Sequence, residues 1–410
     1  MKTPQSKPWS IVAMLCATAT AGYICRVNVS TAAPLLMEEF GLSQIEMGRI
    51  FSAFLLGYAL FQIPSGMIAD RFGARKVLSW IAWLWVLFTV LQTFTGSAAF
   101  QVTAATALIV FMIFRFLTGI SASPTYPGSA QGVSQWVLPQ YQGRANGIVI
   151  ASIGIGSALA PPLVSNIMVT MGWRAAMIAS AVPALAIAIL WLRIKEPVHV
   201  NLYPQAEKLT DDLENRGKIR SVSFYLLTIS YTLQGYVGYI FVTWFYLYLV
   251  QERHFSLLSG AWMSSLPWIL SIISIPLGGF ISDRLAAGKP GQVWGRRIVP
   301  LTGMALSGIL ISVGAHTASA VIAAISLAFA TAFILCVEGP FWAMMMRIAG
   351  KKSGTAGGIM NMGSNLGGLI SPMLTPIIAS IIGWENALHV AAVLAVLGAV
   401  LWLWIKPLEN

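Results

Sequence analysis

Long apolar runs, separated by short polar stretches, fill most of the chain. Twelve runs can be drawn, each close to the roughly 20 residues that a helix needs to cross a bilayer. They cover approximately residues 9–36, 46–69, 77–96, 101–123, 145–170, 174–194, 222–250, 260–282, 298–317, 319–346, 354–382 and 385–405. This pattern predicts an all-α integral membrane protein with twelve transmembrane helices, the lipid bilayer being its main surroundings.

Composition agrees with this prediction, since 57% of the 410 residues are apolar and 10% are charged. A typical soluble domain has about 25% charged residues. The formal net charge is +11, but the basic residues stand in small groups beside apolar runs, so we predict no nucleic-acid binding. With a cytoplasmic N-terminus, twenty of the 25 Lys and Arg residues fall on the cytoplasmic side, so the positive-inside rule predicts that both termini are cytoplasmic.

Two sets of repeated residues divide the chain into similar halves. Asp70-Arg71, after the second run, is matched by Asp283-Arg284 after the eighth, 213 positions later (283 − 70). A second set recurs at an offset of 211: Pro161, Gly172 and Trp173 are matched by Pro372, Gly383 and Trp384. We therefore predict two pseudo-symmetric six-helix bundles, residues 1–195 and 221–410, joined by a cytoplasmic linker at 196–220, with a solute site between the halves.

The loop after the second run resembles a signature of the major facilitator superfamily. The segment is Gly66–Lys76, with Asp70 and Arg71 at its centre. The resemblance implies a transporter that works by alternating access. It also implies that Asp70 and Arg71, with Asp283 and Arg284 in the second half, make gating contacts that form and break as the halves move.

Further segments are similar to the anion:cation symporter branch, which includes sialin, vesicular glutamate transporters and bacterial carriers of hexonates, hexuronates and glucarate. The segments are Tyr23–Pro34, Glu46–Phe54, Arg115–Ile120, Gly339–Ala343 and Gly354–Gly368. The resemblance implies a monomer in a bacterial inner membrane that imports a small organic anion together with a coupling cation. A proton is the preferred cation, and sodium stays open. Sugar acids, dicarboxylates, aromatic acids, sulfonates and phosphorylated compounds all remain open as substrates.

The chain departs from this branch at two positions that matter for coupling. Bacterial relatives carry an Asp before the Arg of helix one and a Glu in helix four, whereas this chain has Cys25 and Ala122 there. An anion exchanger or a uniporter of the same fold therefore stays open beside a symporter. A membrane receptor that binds the anion without moving it is a further alternative.

Two Arg residues lie deep inside apolar runs, where a cation costs a few kcal/mol or more unless it finds a partner or a polar cavity. Arg26 shares a helical stripe with Tyr23 and Ser30, and we expect its planar guanidinium to bind the anion. Arg115, in the fourth run, is a second candidate ligand. Arg49 stands near the start of the second run, and either joins these two as an anion ligand or reaches the membrane interface.

The second half offers one acid well inside a run. Glu338 immediately precedes Gly339-Pro340, which should interrupt the tenth helix, and we consider it a coupling or gating residue, or else a packing element. Tyr239, on a polar stripe with Thr232, Tyr236 and Thr243, and Asn365 are candidate substrate contacts.

Catalytic and metal-binding motifs are missing from the sequence pattern. Cys16, Cys25 and Cys336 lie in apolar runs without ligand spacing, so we expect buried thiols, no disulfide and no metal site. The pattern shows no nucleophile–base pair either, so we expect neither an enzyme nor a bound cofactor.

Overall fold

The computed structural model describes residues 8–97, 102–194, 221–289, 291–350 and 353–406. Within these ranges the chain forms α-helices and one short 3-10 helix, and none of these residues is in a strand. The helices are α1 Pro8–Phe40, α2 Gln44–Phe72, α3 Ala74–Leu91, the 3-10 helix Gln92–Phe94, α4 Ala104–Ala122, α5 Thr125–Trp136, α6 Pro139–Arg193, α7 Val222–Thr243, α8 Phe245–Gln251, α9 Leu257–Ala287, α10 Gly291–His316, α11 Ala320–Leu335, α12 Glu338–Ala349 and α13 Ser353–Leu401. The predicted linker, 196–220, lies outside the described residues.

Side-chain caps fix where several of these helices begin. Ser43 and Glu46 form a capping box at the start of α2, in which each side chain accepts a hydrogen bond from the other residue's backbone N–H. The hydroxyl oxygens of Thr103, Ser221 and Ser319 likewise accept from the N–H three residues on, at the starts of α4, α7 and α11. These caps satisfy N–H groups that would otherwise have no partner at the helix end.

The described helices account for twelve membrane spans. Nine segments are long and apolar enough to cross a bilayer, and α7 with α8, bent by 51°, makes a tenth. The segments within α6 and α13 contain 50 and 47 residues. At about 1.5 Å per residue each is more than twice as long as the hydrocarbon core is thick, about 30 Å. Each is broken by one non-helical glycine, Gly172 or Gly383, so each counts as two spans and the total matches the prediction.

Large apolar side chains on the outside of the helices support a lipid environment. Ile63, Met67, Val222 and Ile381 are each more than two-thirds exposed, and many other Leu, Ile, Phe and Trp side chains are also exposed. Apolar exposure on this scale would be costly in water, so these helices lie in a bilayer.

The chain divides into two compact units, which we describe separately. The N-terminal unit contains the described residues of Met1–His199 together with Tyr246–Trp268, and the C-terminal unit contains those of Val200–Phe245 and Ile269–Asn410. The segment 246–268 is joined to α6 by two hydrogen bonds. Ser165 donates to the carbonyl of Leu257 at 2.8 Å, and Ser265 donates to that of Ala158 at 2.6 Å.

The repeats seen in the sequence correspond to repeated structure. Gly172 has φ 82° and ψ 167°, and Gly383 has φ 85° and ψ 158°, a combination that essentially only glycine adopts. Each glycine turns the chain between two spans without any loop. The two turns are therefore equivalent features of the two halves.

Breaks in the fourth and tenth spans also match. Helix α4 gives way to α5 around Ser123, and α11 gives way to α12 around Cys336, 213 positions later (336 − 123). The tenth span is thus interrupted as predicted, but the break lies just before Glu338, and Gly339-Pro340 belong to the first turn of α12. The break has a counterpart in the first half. Glu338 is the first residue of α12, directly after the break.

An arginine in each half binds the carbonyl groups that end the sixth span of that half. Arg75 donates to the carbonyl oxygens of Trp191 and Leu192, at 3.4 and 3.1 Å. Arg297 donates to that of Ile405 at 2.7 Å. These basic side chains complement the negative end of the helix dipole, so an arginine near the start of the third span of each half caps the last helix of that half.

Close contact between α2 and α4 positions the candidate site of the N-terminal unit. A Cβ atom on Gly119 would lie 2.0 Å from the carbonyl oxygen of Phe54, and one on Gly57 would lie 2.2 Å from that of Phe116. Only glycine permits this approach, which brings Phe54 of α2 beside Arg115 of α4.

Candidate functional site

Arg26 is buried in the middle of α1 and surrounded by aromatic rings. Its Nη1 donates a hydrogen bond to the hydroxyl of Tyr23 at 3.1 Å, and that hydroxyl lies 3.1 Å from the hydroxyl of Tyr126. Its guanidinium carbon lies 5.1, 4.9 and 5.6 Å from the ring centres of Tyr23, Phe54 and Tyr58. The predicted pairing of Tyr23 with Arg26 along one face of the helix is therefore present.

Arg115 is buried on α4 and reaches across to α1. Its Nη2 donates to the carbonyl oxygen of Arg26 at 3.0 Å, and its Nη1 donates to that of Cys25 at 3.5 Å. Its guanidinium carbon lies 4.7 Å from the ring centre of Phe54, and its buried Nε has no hydrogen-bond partner. One phenyl ring thus faces both cations.

Acidic residues of the N-terminal unit lie away from these two arginines along the chain. Among the residues described in this unit, every Asp and Glu is at a helix end or in a turn: Glu38, Glu39, Glu46, Asp70 and Glu252. Aromatic faces attract cations by about 0.5 to 2 kcal/mol each. Such a contribution is small against the cost of two like charges in a medium of low dielectric constant. An anionic ligand would offset that cost, so the geometry fits an anion site.

Cys25, at the position where the resemblance implied an acid, is a packed thiol. Cys25 is fully buried, and its Sγ lies 3.6 Å from the carbonyl oxygen of Ser180 on α6. Burial of all three thiols was predicted, but Cys16 and Cys336 are only partly buried. Ala122 is the last residue of α4.

Arg49 occupies a different environment from the two buried arginines. It is exposed near the start of α2, within one turn of Glu46 of the capping box. Of the three basic candidates, only Arg26 and Arg115 are therefore brought together around one ring.

The C-terminal unit places a carboxylate in a hydrogen-bonded pocket. The hydroxyl of Tyr231 donates to Oε2 of Glu338 at 2.8 Å, and Nε2 of Gln234 donates to Oε1 at 3.2 Å. The same Nε2 lies 3.3 Å from the carbonyl oxygen of Ile334, beside the break between α11 and α12. Tyr231 and Gln234 were not predicted as site residues. A Gln three residues after a Tyr, inside an apolar span, was the available signal.

The polar stripe predicted on α7 faces α13. The hydroxyl of Tyr236 lies 3.1 Å from that of Thr375, and a Cβ atom on Gly368 would lie 2.5 Å from the ring of Tyr239. Tyr239 is partly buried and Asn365 is buried on α13. The stripe contributes to the packing of these two helices.

The four predicted gating residues lie at helix ends. Asp70 and Arg71 are exposed in the last turn of α2. Asp283 and Arg284 are exposed near the end of α9, and Asp283 forms an ion pair with Arg296 of α10. Arg296 was missed because it lies thirteen residues further along the chain.

Comparisons with known proteins agree with this architecture. The sequence profile of the Major Facilitator Superfamily matches residues 14–372 and 285–410. The chain is 30% identical to a probable sulfoacetate transporter of Cupriavidus necator, over 97% of this chain and 94% of that protein. It is 28% identical to a hexuronate transporter of Bacillus subtilis, over 94% and 92% of the two chains.

Solved structures show the same fold at lower sequence identity. An inward-facing bacterial homologue of the human lysosomal transporter Spinster superposes with a TM-score of 0.82, at 17% identity, covering 98% of this chain and 97% of that one. A D-xylose–proton symporter gives a TM-score of 0.80 at 18% identity, covering 98% of both chains. The family match, the relatives and the twelve spans lead to one conclusion: this chain is a multi-pass membrane transporter that belongs to the Major Facilitator Superfamily.

Proposed function

We propose that the protein imports a small organic anion across a bacterial inner membrane by alternating access. The observation that carries this proposal is the pair of buried guanidinium groups, Arg26 and Arg115, that share Phe54. The names of the relatives support the same class of substrate, since sulfoacetate, hexuronates, galactarate and glucarate all carry carboxylate or sulfonate groups. Sugar acids, dicarboxylates and sulfonates are the compounds to test first.

Within this proposal Arg26 and Arg115 have different tasks. Arg26 has a planar array of N–H donors suited to a carboxylate or sulfonate, and Tyr23 orients it through one of them. Arg115 uses two donors on the backbone of α1, so we assign it a positioning role and a long-range electrostatic one. Tyr239 and Asn365 are proposed as further substrate contacts on the C-terminal unit. Arg49, near the start of α2, is proposed to attract the anion before it reaches Arg26.

We propose that import is coupled to protons through Glu338. Among the described residues of the C-terminal unit, Glu338 is the one carboxylate well inside a span, since Asp283 lies near the end of α9 and Glu385 two residues after the Gly383 turn. Two donors, Tyr231 and Gln234, hold its two oxygens. A movement of α7 relative to α12 would withdraw those donors and change the balance between the ionised and the protonated form. A hard cation such as sodium would instead need several oxygen ligands, whereas the two oxygens of Glu338 accept hydrogen bonds from Tyr231 and Gln234.

Transport in proteoliposomes tests the proposal. Purified protein should bind candidate anions in a thermal-shift screen, and the hits should then be taken up as radiolabelled solutes. An inward proton gradient should drive accumulation above the equilibrium level. Uptake without accumulation would favour a uniporter, uptake only against internal substrate would favour an exchanger, and binding without uptake would favour a receptor.

A further inference from the structure

Three side chains of metal-binding type meet at one end of the C-terminal unit. His316 is the last residue of α10, and Glu385 and His389 lie one turn apart on α13, just after the Gly383 turn. Nδ1 of His316 lies 2.6 Å from Nε2 of His389, and Nε2 of His316 lies 3.3 Å from Oε1 of Glu385. One ligand atom from each residue lies within 4.8 Å of the other two.

We propose that His316, Glu385 and His389 bind a divalent transition-metal ion, with Zn²⁺ as the preferred biological ion. Two imidazoles and a carboxylate supply three ligands of a tetrahedral zinc site, and water can supply the fourth. Zinc–nitrogen bonds of about 2.0 to 2.1 Å separate two ligating nitrogens by about 3.3 Å. The observed 2.6 Å between Nδ1 of His316 and Nε2 of His389 therefore has to open by less than about 1 Å, and the Glu385 carboxylate has to turn from Nε2 of His316 toward the same ion. His316 is 66% and Glu385 52% exposed, so small side-chain rotations are free to occur.

The equivalent position in the N-terminal unit already holds a cation. Glu385 and Arg174 occupy equivalent positions in the repeat (385 − 174 = 211). Each directly follows the repeated tryptophan, which is Trp384 in the second half and Trp173 in the first. Arg174 binds Glu39 at 2.6 Å and donates to the carbonyl oxygens of Thr93 and Thr95, at the end of the third span. Its guanidinium thus ties the third span to the sixth.

The C-terminal unit connects the same two spans of its half through side chains of metal-binding type, where the N-terminal unit uses the Arg174 guanidinium. Glu385 contacts His316 at the end of α10, the third span of its half, where Arg174 contacts the end of the third span in the other half. A bound metal ion would supply the positive charge that the guanidinium supplies in the first half. It would join α10 to α13 within one unit, so we expect it to stabilise that unit. By the predicted orientation the site faces the outside of the cell, where a hydrated ion can reach it.

Zinc titration of the purified protein tests this inference. The protein should carry a tag without histidines and be freed of metal by chelation before calorimetric titration with ZnCl₂. We expect one saturable site in the wild type. The double variant His316→Gln/His389→Gln should bind zinc more than about tenfold more weakly, because even partners outside the first ligand shell are worth that much. His254→Asn, another histidine outside the cluster, is the matched control and should bind as the wild type does.

A spectroscopic and a stability measurement make the test independent of any single variant. Co²⁺ should give visible absorption typical of tetrahedral N/O coordination in the wild type and not in the double variant, and zinc should raise the melting temperature of the wild type alone. Should the double variant fail to fold, Glu385→Gln, at an exposed position, should show the same weakened binding. Equal zinc affinity in the wild type and these variants, or no saturable binding, would overturn the proposal. Stabilisation by acidification alone, without any metal effect, would also overturn it, because a shared proton would then be the cation.

Discussion

Arg115 donates a hydrogen bond to the main-chain carbonyl of Arg26, so one buried cation holds the helix that carries the other. The bond ties α4 to the middle of α1 at the level of the candidate anion site. Both guanidinium groups also face Phe54, so packing on one ring holds the two like charges near each other. A rigid, positively charged site of this kind lowers the cost of ordering when an anion binds.

Replacement of Arg26 by lysine should weaken substrate binding by more than about tenfold while the protein still folds. Lysine keeps the charge but loses the planar array of donors that a carboxylate or sulfonate engages. Affinity is measured by calorimetry on purified protein, and folding by the thermal unfolding curve. Arg144→Lys is the matched control and should bind normally, since Arg144 is exposed near the start of α6, beside Trp9 at the beginning of α1. Near-wild-type affinity of Arg26→Lys would remove Arg26 as the anchor.

Replacement of Phe54 by leucine should reduce both stability and substrate affinity. The variant loses the ring that faces two guanidinium groups, which we expect to cost about 1 to 3 kcal/mol of unfolding free energy. Phe111→Leu is the control, because Phe111 is equally buried but packs against Phe40 and Trp173. Both variants should lose stability, and only Phe54→Leu should lose affinity. Equal affinity losses would show that general packing, not the ring's charge distribution, matters.

Replacement of Asp70 by asparagine should slow transport more than it weakens binding. Asp70 is exposed at the end of α2, away from the middle of the span that carries Phe54. Turnover is measured in proteoliposomes and affinity in detergent. Asp283→Asn, which breaks the ion pair with Arg296 in the other half, should behave in the same way. A large loss of affinity with normal turnover would contradict a gating role.

Replacement of Glu338 by glutamine should abolish accumulation driven by a proton gradient while substrate exchange survives. Glutamine keeps the approximate shape but cannot exchange a proton. Uptake is compared with and without an imposed pH gradient, at matched protein orientation. Tyr231→Phe removes one donor to the carboxylate and should change the pH dependence of uptake without abolishing it. A Glu338→Gln protein that still concentrates solute in response to the gradient would exclude Glu338 as the proton carrier.

Replacement of either turn glycine, Gly172 or Gly383, by alanine should lower the free energy of unfolding by about 1 to 3 kcal/mol. Both glycines have φ above 80° with an extended ψ, a conformation that a Cβ atom disfavours. Gly358→Ala is the control, because Gly358 is helical and a Cβ atom there meets no neighbour within 4 Å. That variant should be neutral or slightly more stable. Unfolding in detergent gives the comparison, and an alanine variant of either turn as stable as Gly358→Ala would contradict the strain argument.

The spans and the repeat could be predicted because the bilayer restricts the chain so strongly. A span must be long, apolar and helical, and a charged residue within it stands out, which is how Arg26, Arg115 and Glu338 were found. The repeated Gly-Trp pairs could be recognised because the turn requires glycine. These features depend on residues that are close together in the chain or repeated along it.

Apart from Tyr23, the partners of the buried charged residues could not be predicted, because ordinary residues take those roles. Phe54 is one aromatic residue among many in the spans, and only its distance to two guanidinium groups distinguishes it. Tyr231 and Gln234 of α7 donate hydrogen bonds to Glu338. The polar stripe that was predicted on α7 packs against α13 instead. The cluster of His316, Glu385 and His389 joins residues 69 and 73 positions apart (385 − 316 and 389 − 316), a spacing that no local metal motif has.

The one-residue turns at Gly172 and Gly383 also decide where this protein can be modified. Insertions, epitope tags and protease sites are tolerated in exposed loops, and these two turns provide no loop at all. A tag placed at either turn would have to separate two packed helices. The short stretch between α10 and α11 contains Thr317, which is partly exposed, and Ala318, which is exposed, and both lie outside any helix. It is on the same predicted side of the membrane as the two turns and is a better point for attaching a fluorophore.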